Sequence, residues 1–320
     1  MAWPDDIRIG VSSCLLGNRV RYDGGHKRDD FVAGLLSRFA TLVPVCPEVE
    51  SGMGTPRPSI RLVELGGQVR LVEPRSGADH GGAMRAFAER RLRELEPQGL
   101  SGFILKKDSP SCGMERVKVW PARPGQPARR TGRGFFAEAL LARWPLLPVE
   151  EEGRLRDLKL RESFVERVFA HHRLRTFLAA RWTLAGLVRF HTAEKMLILS
   201  HHPEGYRSLG KLVAGARARP RAEVAAAYAE GFMAALARPA TPGRNANALE
   251  HMAGWFKRDL LPEDRQELRE VIADYRRGLV PLVVPVTLVR HQVRRLGVEY
   301  LAGQTYLEPH PRELMLRNHA

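Results

Sequence analysis

Three cysteines are the residues of this chain best suited to chemistry. Cys14 lies in G-V-S-S-C-L-L-G, Cys46 in V-P-V-C-P-E-V-E, and Cys112 in K-K-D-S-P-S-C-G. Each stands near the end of an apolar, strand-like run and beside glycine, proline or serine. Residues that follow the strands of an open α/β sheet converge on one crevice. We therefore expect the three thiols to meet there and to form a metal centre with one ligand position left open.

The spacing of the thiols bears on which metal they would hold. Structural zinc sites usually show paired ligands such as C-x-x-C and a fourth protein ligand, and neither is evident here. Iron–sulfur clusters accept widely spaced thiolates. Three thiolates on a four-iron cluster would leave one iron free to act as a Lewis acid. The alternative for each thiol taken alone is a small apolar group in the core.

The N-terminal part of the chain, residues 1–150, alternates between strand-like and helix-like segments. Buried strands are predicted at Ile7–Ser13, Thr41–Cys46 and Gly102–Lys106, and helices at His80–Leu95 and Phe135–Trp144. Strands that alternate with helices of this length favour a mainly parallel sheet with helices on both faces, a Rossmann-like α/β fold.

Three segments of this part depart from the alternation. Ser59–Leu65 and Gln68–Glu73 flank a Gly-Gly turn and predict an antiparallel hairpin. Pro121–Gly134 is basic and rich in proline and glycine, which is typical of a loop. The acidic segment Val149–Gly153 is interpreted as a linker between domains.

Beyond Glu150 strand signals nearly vanish, and helical patterns with prolines at their boundaries follow one another to the C-terminus. The sequence therefore predicts two domains, an α/β domain over 1–150 and an all-α domain over 151–320.

The charge of the chain points to a polyanionic partner. Fifty-one lysines and arginines stand against 36 acidic residues, giving a net charge of +15 and a pI near 10.4. Such a basic balance is typical of nucleic-acid-binding proteins. The alternative is an arginine-rich, solvated surface without a specific partner.

The chain shows no signal for secretion or for membrane insertion. The N-terminus lacks a basic region followed by an apolar run, and the apolar stretch Leu279–Val289 is short and broken by prolines. With three cysteines only, we expect a cytoplasmic protein with free thiols and no membrane association.

The cysteine motifs together resemble a known family. The runs S-S-C-L-L-G, Y-D-G-G-H-K, C-P-E, G-M-G-T-P-R-P and K-K-D-S-P-S-C-G are similar to those of the thiouracil desulfurase (TudS) family, over roughly residues 5 to 150. Residues 155–320 resemble the YbgA-like helical domain, through F-H-T-A-E-K-M-L-I-L-S-H and P-H-P-R-E-L among others. The fused form resembles bacterial desulfidases that act on 4-thiouridine in tRNA.

The resemblance implies a cofactor and a reaction. Cys14, Cys46 and Cys112 would hold a [4Fe-4S] cluster with one open iron, which would bind the thiocarbonyl sulfur of the base. Iron suits a soft sulfur donor. Water would replace sulfur with oxygen, without net redox change.

This reaction needs a general acid/base, and Glu48, two residues after Cys46, is the first choice. Glu50 remains an alternative. Ser109 is expected to orient substrate or relay protons, whereas Ser111 is expected to cap the turn and lie near substrate.

Other residues near the motifs receive supporting roles. Ser12 and Ser13 are expected to donate hydrogen bonds to the cluster sulfurs. Asp23 and Lys27 are candidates for substrate contact, although a Gly-Gly turn with flanking charges is usually only a turn. Lys106 and Lys107 either meet phosphate or stay solvated.

The helical half offers candidates for RNA binding. Arg290, His291, Arg294 and Arg295 form a basic stripe. The aromatic residues that could stack on bases, or pack in the core, are Phe190, Trp255, Tyr300 and Tyr306. A metal site at the helix-borne residues His191, Glu194, His201 and His202 is not favoured.

Three functions follow from these observations. The first is desulfuration of 4-thiouridine in tRNA. The second is the same chemistry on free thiouracil or thiolated nucleotides, with the helical domain used for oligomerisation. The third is a non-catalytic sensor that carries the cluster.

Overall fold

A computed structural model describes residues 7–123 and 125–318. The chain divides into two compact units, an N-terminal unit, Met1–Arg156, and a C-terminal unit, Asp157–Ala320. The described part of the N-terminal unit contains eight strands and two regular α-helices: β1 (Arg8–Ser12), β2 (Thr41–Val45), β3 (Arg61–Leu65), β4 (Gln68–Val72), α1 (Gly81–Leu95), β5 (Gly102–Leu105), β6 (Val117–Pro121), β7 (Arg129–Gly132), α2 (Phe135–Arg143) and β8 (Val149–Glu151).

The central sheet of the N-terminal unit is parallel throughout, with the strand order β2-β1-β5-β8. Strand β1 is buried along Ile9–Ser12, as expected for a central parallel strand covered on both faces. Gly10 is required there, because a Cβ at this position would lie 2.3 Å from the Phe103 ring of β5. The predicted α/β fold with a mainly parallel sheet is confirmed.

A second sheet has the strand order β4-β3-β6-β7. Strands β3 and β4 form the predicted antiparallel hairpin, and Gly66 and Gly67 turn it with positive φ values of 58° and 75°. The prediction of a loop over Pro121–Gly134 is wrong in part, since β7 pairs with β6 in an antiparallel ladder. Pro124, within that range, lies outside the described residues. Hydrogen bonding to β6 stabilises a strand here although the local proline and glycine content favours a loop.

The acidic segment Val149–Gly153 is not a linker, and that interpretation is wrong. It supplies β8, which pairs with β5 at the edge of the parallel sheet. Its three glutamates are buried and find partners within the unit. Glu150 contacts Arg154 at 2.7 Å, Glu151 accepts the Met114 amide at 2.7 Å, and Glu152 accepts the Lys107 amide at 2.7 Å. These contacts satisfy the charges of the three buried glutamates.

Helix α2 begins against the loop that carries Cys112. The amide of Phe135 donates to the Pro110 carbonyl at 3.2 Å, and the amide of Phe136 donates to the Ser111 carbonyl at 3.0 Å. Amides in the first turn of a helix have no partner within the helix, so the loop satisfies them. The cysteine loop is therefore fixed by the start of α2.

The C-terminal unit is helical, and no strand occurs over residues 157–318, so the predicted all-α second part is confirmed. Asp157 begins its first helix by accepting the amides of Lys159 and Leu160 at 2.9 and 3.1 Å. The helices are α3 (Leu158–Ala179), α4 (Leu184–His201), α5 (Pro203–Ala214), α6 (Arg221–Leu236), α7 (Pro242–Ala253), α8 (Pro262–Arg277), α9 (Val283–Leu296) and α10 (Glu299–Ala302). Across the described residues, no helix combines the length and the apolar character that crossing a bilayer requires.

We predict that Gly134→Ala destabilises the N-terminal unit by about 1–3 kcal/mol. The added Cβ would lie 2.5 Å from the Ser111 carbonyl group and 2.8 Å from the Cys112 amide nitrogen, where backbone rather than a flexible side chain must shift. Urea unfolding followed by circular dichroism measures the change. Gly82→Ala in α1 is the control, since its Cβ would meet no atom within 4 Å. Equal unfolding midpoints for the two variants would contradict this account.

Candidate metal and substrate site

The three cysteines line one cavity of about 380 Å³ in the N-terminal unit. Cys14 follows β1, Cys46 follows β2, and Cys112 lies in the loop after β5. These are three adjacent strands of the parallel sheet, so their carboxyl ends open onto the same edge.

The thiols are withdrawn from solvent. Cys14 and Cys112 are 8% and 6% exposed, and Cys46 is half-buried. Burial raises the pKa of Cys14 to about 11 and also raises the pKa values of Cys46 and Cys112. The free thiols are therefore protonated at neutral pH. A metal that binds them must displace these protons.

The spread of the sulfur atoms bears on the kind of metal. Among the described residues, at least two of the three cysteine Sγ atoms lie more than 4.8 Å apart. One ion bound to all three thiolates would bring them closer than this. Thiolates on different irons of one cluster stand farther apart, so the donor set fits a multi-iron group better than a single ion.

Glu48 lies in the same cavity and is held by two partners. The Arg57 guanidinium forms an ion pair with Glu48 Oε2, with its Nε at 3.1 Å. The Ser111 hydroxyl donates to Glu48 Oε1 at 2.7 Å. Arg57 is 4% exposed, and its Nη1 donates to the carbonyls of Val20 and Gly54 at 3.0 and 2.8 Å. A guanidinium with this many bonds holds the carboxylate in one orientation.

Glu50 points to different partners. Its Oε1 accepts the Cys46 amide at 2.6 Å, and its Oε2 lies 3.1 Å from Arg91 Nε. Among the described residues that line the cavity, Glu48 is present and Glu50 is not. The two glutamates that the sequence left open thus differ in their surroundings.

Ser109, and not Ser111, caps the turn of the cysteine loop. Ser109 Oγ accepts the amides of Ser111 and Cys112 at 3.3 and 3.1 Å, so Ser109 caps the turn. The expectation that Ser111 is the capping residue is wrong, because its hydroxyl is engaged with Glu48. Ser109 Oγ and Ser111 Oγ are also 2.9 Å apart, which continues the chain of hydrogen bonds from Glu48.

Ser12 and Ser13 both line the cavity and are buried. Ser12 Oγ accepts the Lys106 amide at 3.0 Å, and a hydrogen bond from Ser12 to the Cys112 sulfur acts to lower the pKa of that thiol. Ser13 Oγ accepts from Asn18 Nδ2 at 2.8 Å. Ser12 therefore already touches one of the three sulfurs.

Basic residues surround the cavity. Lys27, Lys106 and Lys107 line it. The Lys106 ammonium pairs with Glu152 at 2.5 Å, whereas Lys27 and Lys107 are exposed. Asp23 is not among the described lining residues. Its carboxylate accepts the Gly25 amide at 3.0 Å, the larger cause of its lowered pKa, and lies 3.6 Å from Arg21.

Arg57 is the main site residue that sequence reasoning missed. The signal was available, since Arg57 is the arginine of G-M-G-T-P-R-P, one of the runs that carried the resemblance. Arg21 also lines the cavity and was not singled out.

The C-terminal residues expected to bind RNA are partly engaged within their own unit. Arg290 pairs with Glu308 at 3.1 Å and Arg295 with Asp264 at 2.8 Å, while Arg294 is exposed. Of the four aromatic candidates, Tyr306 is fully buried, and Phe190 stacks on Phe177 with ring centroids 4.8 Å apart. Trp255 is 49% exposed and stacks on Tyr300 at 4.1 Å.

The helical histidines do not converge on one point. His191 Nδ1 lies 3.1 Å from the Tyr228 hydroxyl, and Glu194 pairs with Arg173 at 2.5 Å. His201 Nε2 lies 3.1 Å from Glu166 Oε2. His191, Glu194 and His201 thus each have a separate partner within the C-terminal unit.

Comparison with known proteins places the cysteine site in a family. Residues 9–152 match the family model described as 2-thiouracil desulfurase, and residues 195–311 match a family described as a protein of unknown function, DUF1722. The chain belongs to the 2-thiouracil desulfurase family through its N-terminal part. It is thus an enzyme that cleaves a carbon–sulfur bond.

Individual relatives cover the two halves separately. The uncharacterized protein YbbK of Bacillus subtilis (strain 168) is 33% identical over 111 residues, which is 33% of this chain and 72% of YbbK. The uncharacterized protein YbgA of Escherichia coli (strain K12) is 31% identical over 158 residues, 49% of this chain and 94% of YbgA. The solved structure of the [4Fe-4S]-dependent thiouracil desulfidase TudS is 34% identical and covers 49% of this chain and 98% of its own, with a TM-score of 0.39.

We predict that Glu48 and Arg57 are energetically coupled by about 1–3 kcal/mol. Arg57→Leu leaves the Glu48 carboxylate without its cation in a largely buried position, and Glu48→Gln relieves that cost in the double variant. Urea unfolding of the two single variants and the double variant measures the coupling.

The pair Arg91 and Glu50, with side chains 21% and 33% exposed, is the more solvated control, and its coupling should stay below about 1 kcal/mol. Additive effects of the Arg57 and Glu48 substitutions would show that the pair does not hold the carboxylate.

Proposed function

We propose that this enzyme converts 4-thiouridine in tRNA to uridine and releases hydrogen sulfide, using a [4Fe-4S] cluster held by Cys14, Cys46 and Cys112. The observation that carries the proposal is that three thiols, two of them buried and one half-buried, line a single cavity with one carboxylate in a desulfurase-family chain. We also propose that the reaction takes place in the cytoplasm, where free thiols persist.

The residues present suit this cofactor. The chain has three cysteines, so a four-iron cluster bound here would keep one iron without a cysteine ligand. When bound, the cluster would supply a Lewis-acidic iron with affinity for soft sulfur, which polarises the carbon–sulfur double bond. The related TudS is described as [4Fe-4S]-dependent.

Glu48 is the proposed general acid/base. It lines the cavity, and Arg57 fixes its direction. In this proposal its carboxylate takes a proton from the attacking water, whose oxygen forms the new carbon–oxygen bond. The carbon–sulfur bond breaks, and both water protons leave on the sulfur as hydrogen sulfide, so no external oxidant or reductant is consumed.

Ser111 and Ser109 extend the path for that proton. Glu48 Oε1, Ser111 Oγ and Ser109 Oγ form a continuous chain with separations of 2.7 and 2.9 Å. Hydroxyl groups both donate and accept, so this chain can pass a proton between Glu48 and the cavity. Ser109 and Ser111 are therefore proposed as relay residues, and Ser109 also shapes the loop.

The choice of tRNA as substrate rests on charge and on the second unit. The net charge of +15 favours a polyanion, and the cavity is lined by Lys27 and Lys107. Arg294 and Trp255 are exposed in the C-terminal unit, where phosphate and base contacts would form. Lys106, Arg290 and Arg295 already have carboxylate partners, so we propose weaker RNA contacts for them.

Free thiouracil or a thiolated nucleotide is the second candidate substrate, with the C-terminal unit serving oligomerisation. The family description names 2-thiouracil, which favours a free base. A cavity of about 380 Å³ is within the usual range for a small-molecule site.

We predict that Glu48→Gln retains iron and sulfide after anaerobic reconstitution but lowers turnover at least about 100-fold. Glu50→Gln is the matched control, because Glu50 binds the Cys46 amide and Arg91 rather than the cavity. Turnover is followed by loss of thiouridine absorbance. Full activity of Glu48→Gln, or a loss confined to Glu50→Gln, would refute the assignment.

We predict that kcat/KM for 4-thiouridine in tRNA exceeds that for free 4-thiouracil and for free 2-thiouracil at least about tenfold, and that the advantage falls as salt rises. Single-turnover assays on the reconstituted protein at two salt concentrations measure both effects. Equal rates on tRNA and on free base, with no salt dependence, would favour the second candidate.

A further inference from the structure

A second cluster of ligand-type side chains is buried in the C-terminal unit. Glu162 and Glu166 lie one turn apart on α3, and His310 comes from the segment near the C-terminus. One ligand atom from each residue lies within 4.8 Å of the other two. Among residues 7–123 and 125–318 this is the one group of three such side chains that meets that distance. All three side chains are buried.

His310 carries an unsatisfied ring nitrogen in this cluster. Its Nδ1 lies 3.2 Å from the Pro311 carbonyl oxygen, and a carbonyl can only accept, so hydrogen bonding assigns the proton to Nδ1. Nε2 then bears a lone pair, and it is buried without a hydrogen-bond partner in a residue that is 4% exposed. Metal-binding histidines commonly donate their other N–H to a carbonyl in this way.

A small cavity adjoins the two glutamates. It has a volume of about 50 Å³ and is also lined by Asn245 and Tyr275. A water molecule occupies about 30 Å³ in the liquid, so this space suits an ion or one to two waters.

The charges around the cluster are incompletely matched. Arg317 Nη2 donates to Glu166 Oε1 at 3.2 Å, and His201 Nε2 lies 3.1 Å from Glu166 Oε2. Glu162 has a weaker connection, since Arg317 Nε lies 3.7 Å from its Oε1 and has no hydrogen-bond partner. Burial, and then the neighbouring Glu166, raise the pKa of Glu162 to about 8. Two carboxyl groups thus share one guanidinium.

We propose that Glu162, Glu166 and His310 bind a divalent first-row transition-metal ion, which ties α3 to the C-terminal segment. Two carboxylates and one imidazole form an oxygen–nitrogen donor set that suits Mn²⁺, Fe²⁺ or Zn²⁺. The site is separate from the cysteine cavity and from the proposed desulfuration, and it would serve the stability of the C-terminal unit.

The test is a titration of the full-length chain with Mn²⁺, followed by loss of the electron paramagnetic resonance signal of the free ion. Mn²⁺ is chosen because cysteine thiolates select softer metals. The wild-type chain should bind one Mn²⁺, and Zn²⁺ should displace it. Glu162→Gln and His310→Ala should each weaken binding at least about tenfold, comparable with the losses seen when metal sites are perturbed.

His191→Ala is the matched control, since His191 is a buried histidine of the same unit that contacts Tyr228 instead. It should bind Mn²⁺ like the wild-type chain. A variant with Cys14, Cys46 and Cys112 all replaced by serine should also bind normally, and loss of binding there would overturn the proposal.

Thermal unfolding supplies a second readout. Mn²⁺ should raise the unfolding temperature of the wild-type chain but not that of the Glu162→Gln variant. Glu162→Gln is nearly isosteric, so this comparison remains possible even where the His310→Ala variant does not fold. Failure of the wild-type chain to bind either Mn²⁺ or Zn²⁺ would reject the site. Undiminished binding by Glu162→Gln would reject it equally.

Discussion

The adjacency of three parallel strands is the constraint on which the cysteine site depends. Strands β2, β1 and β5 are neighbours in the sheet, and the segments that follow them open at one edge. Thiols far apart in the chain thereby line the same cavity. The start of α2 adds a second restraint, because its free amides bond to the loop that carries Cys112.

Within the cavity, burial controls the protonation of the cysteine thiols, whereas an ion pair holds the Glu48 carboxylate. Burial stabilises the neutral thiols of Cys14 and Cys112, so their deprotonation needs a positively charged partner. The Glu48 carboxylate already has such a partner in Arg57. The site therefore combines three largely buried thiols with a carboxylate whose orientation is set by Arg57.

The C-terminal unit uses buried polar groups in another manner. Tyr306 donates to Asn245, Asn245 donates to Tyr275, and Arg317 donates to the Tyr306 carbonyl, with distances of 3.1, 3.0 and 2.7 Å. This network adjoins Glu162 and Glu166. Buried polar groups need partners throughout, since an unpaired group in a low-dielectric interior is costly. The unit that follows the desulfurase domain thus has an organised interior of its own.

The sequence alone determined the class of fold, the three thiols and the order of their motifs. Apolar runs that end in Cys14, Cys46 or the loop before Cys112 are local signals, and parallel strands place such ends together by geometry. The loss of strand patterns beyond Glu150 likewise indicated an all-α second half. These properties depend on periodicity and on short motifs, which a sequence displays directly.

Tertiary structure decided the rest, because it depends on partners distant in the chain. Spacing from Cys46 left Glu50 as an alternative to Glu48, and the two are separated by their tertiary partners, Arg57 and Ser111 for Glu48 against Arg91 for Glu50. The acidic composition of Val149–Gly153 indicated a linker, whereas pairing of β8 with β5 and contacts to Lys106 and Met114 bury its glutamates. His310 meets Glu162 and Glu166 only after α3 and the C-terminal segment pack together. A contact between residues far apart in the chain produces no periodic pattern from which a single sequence could predict it.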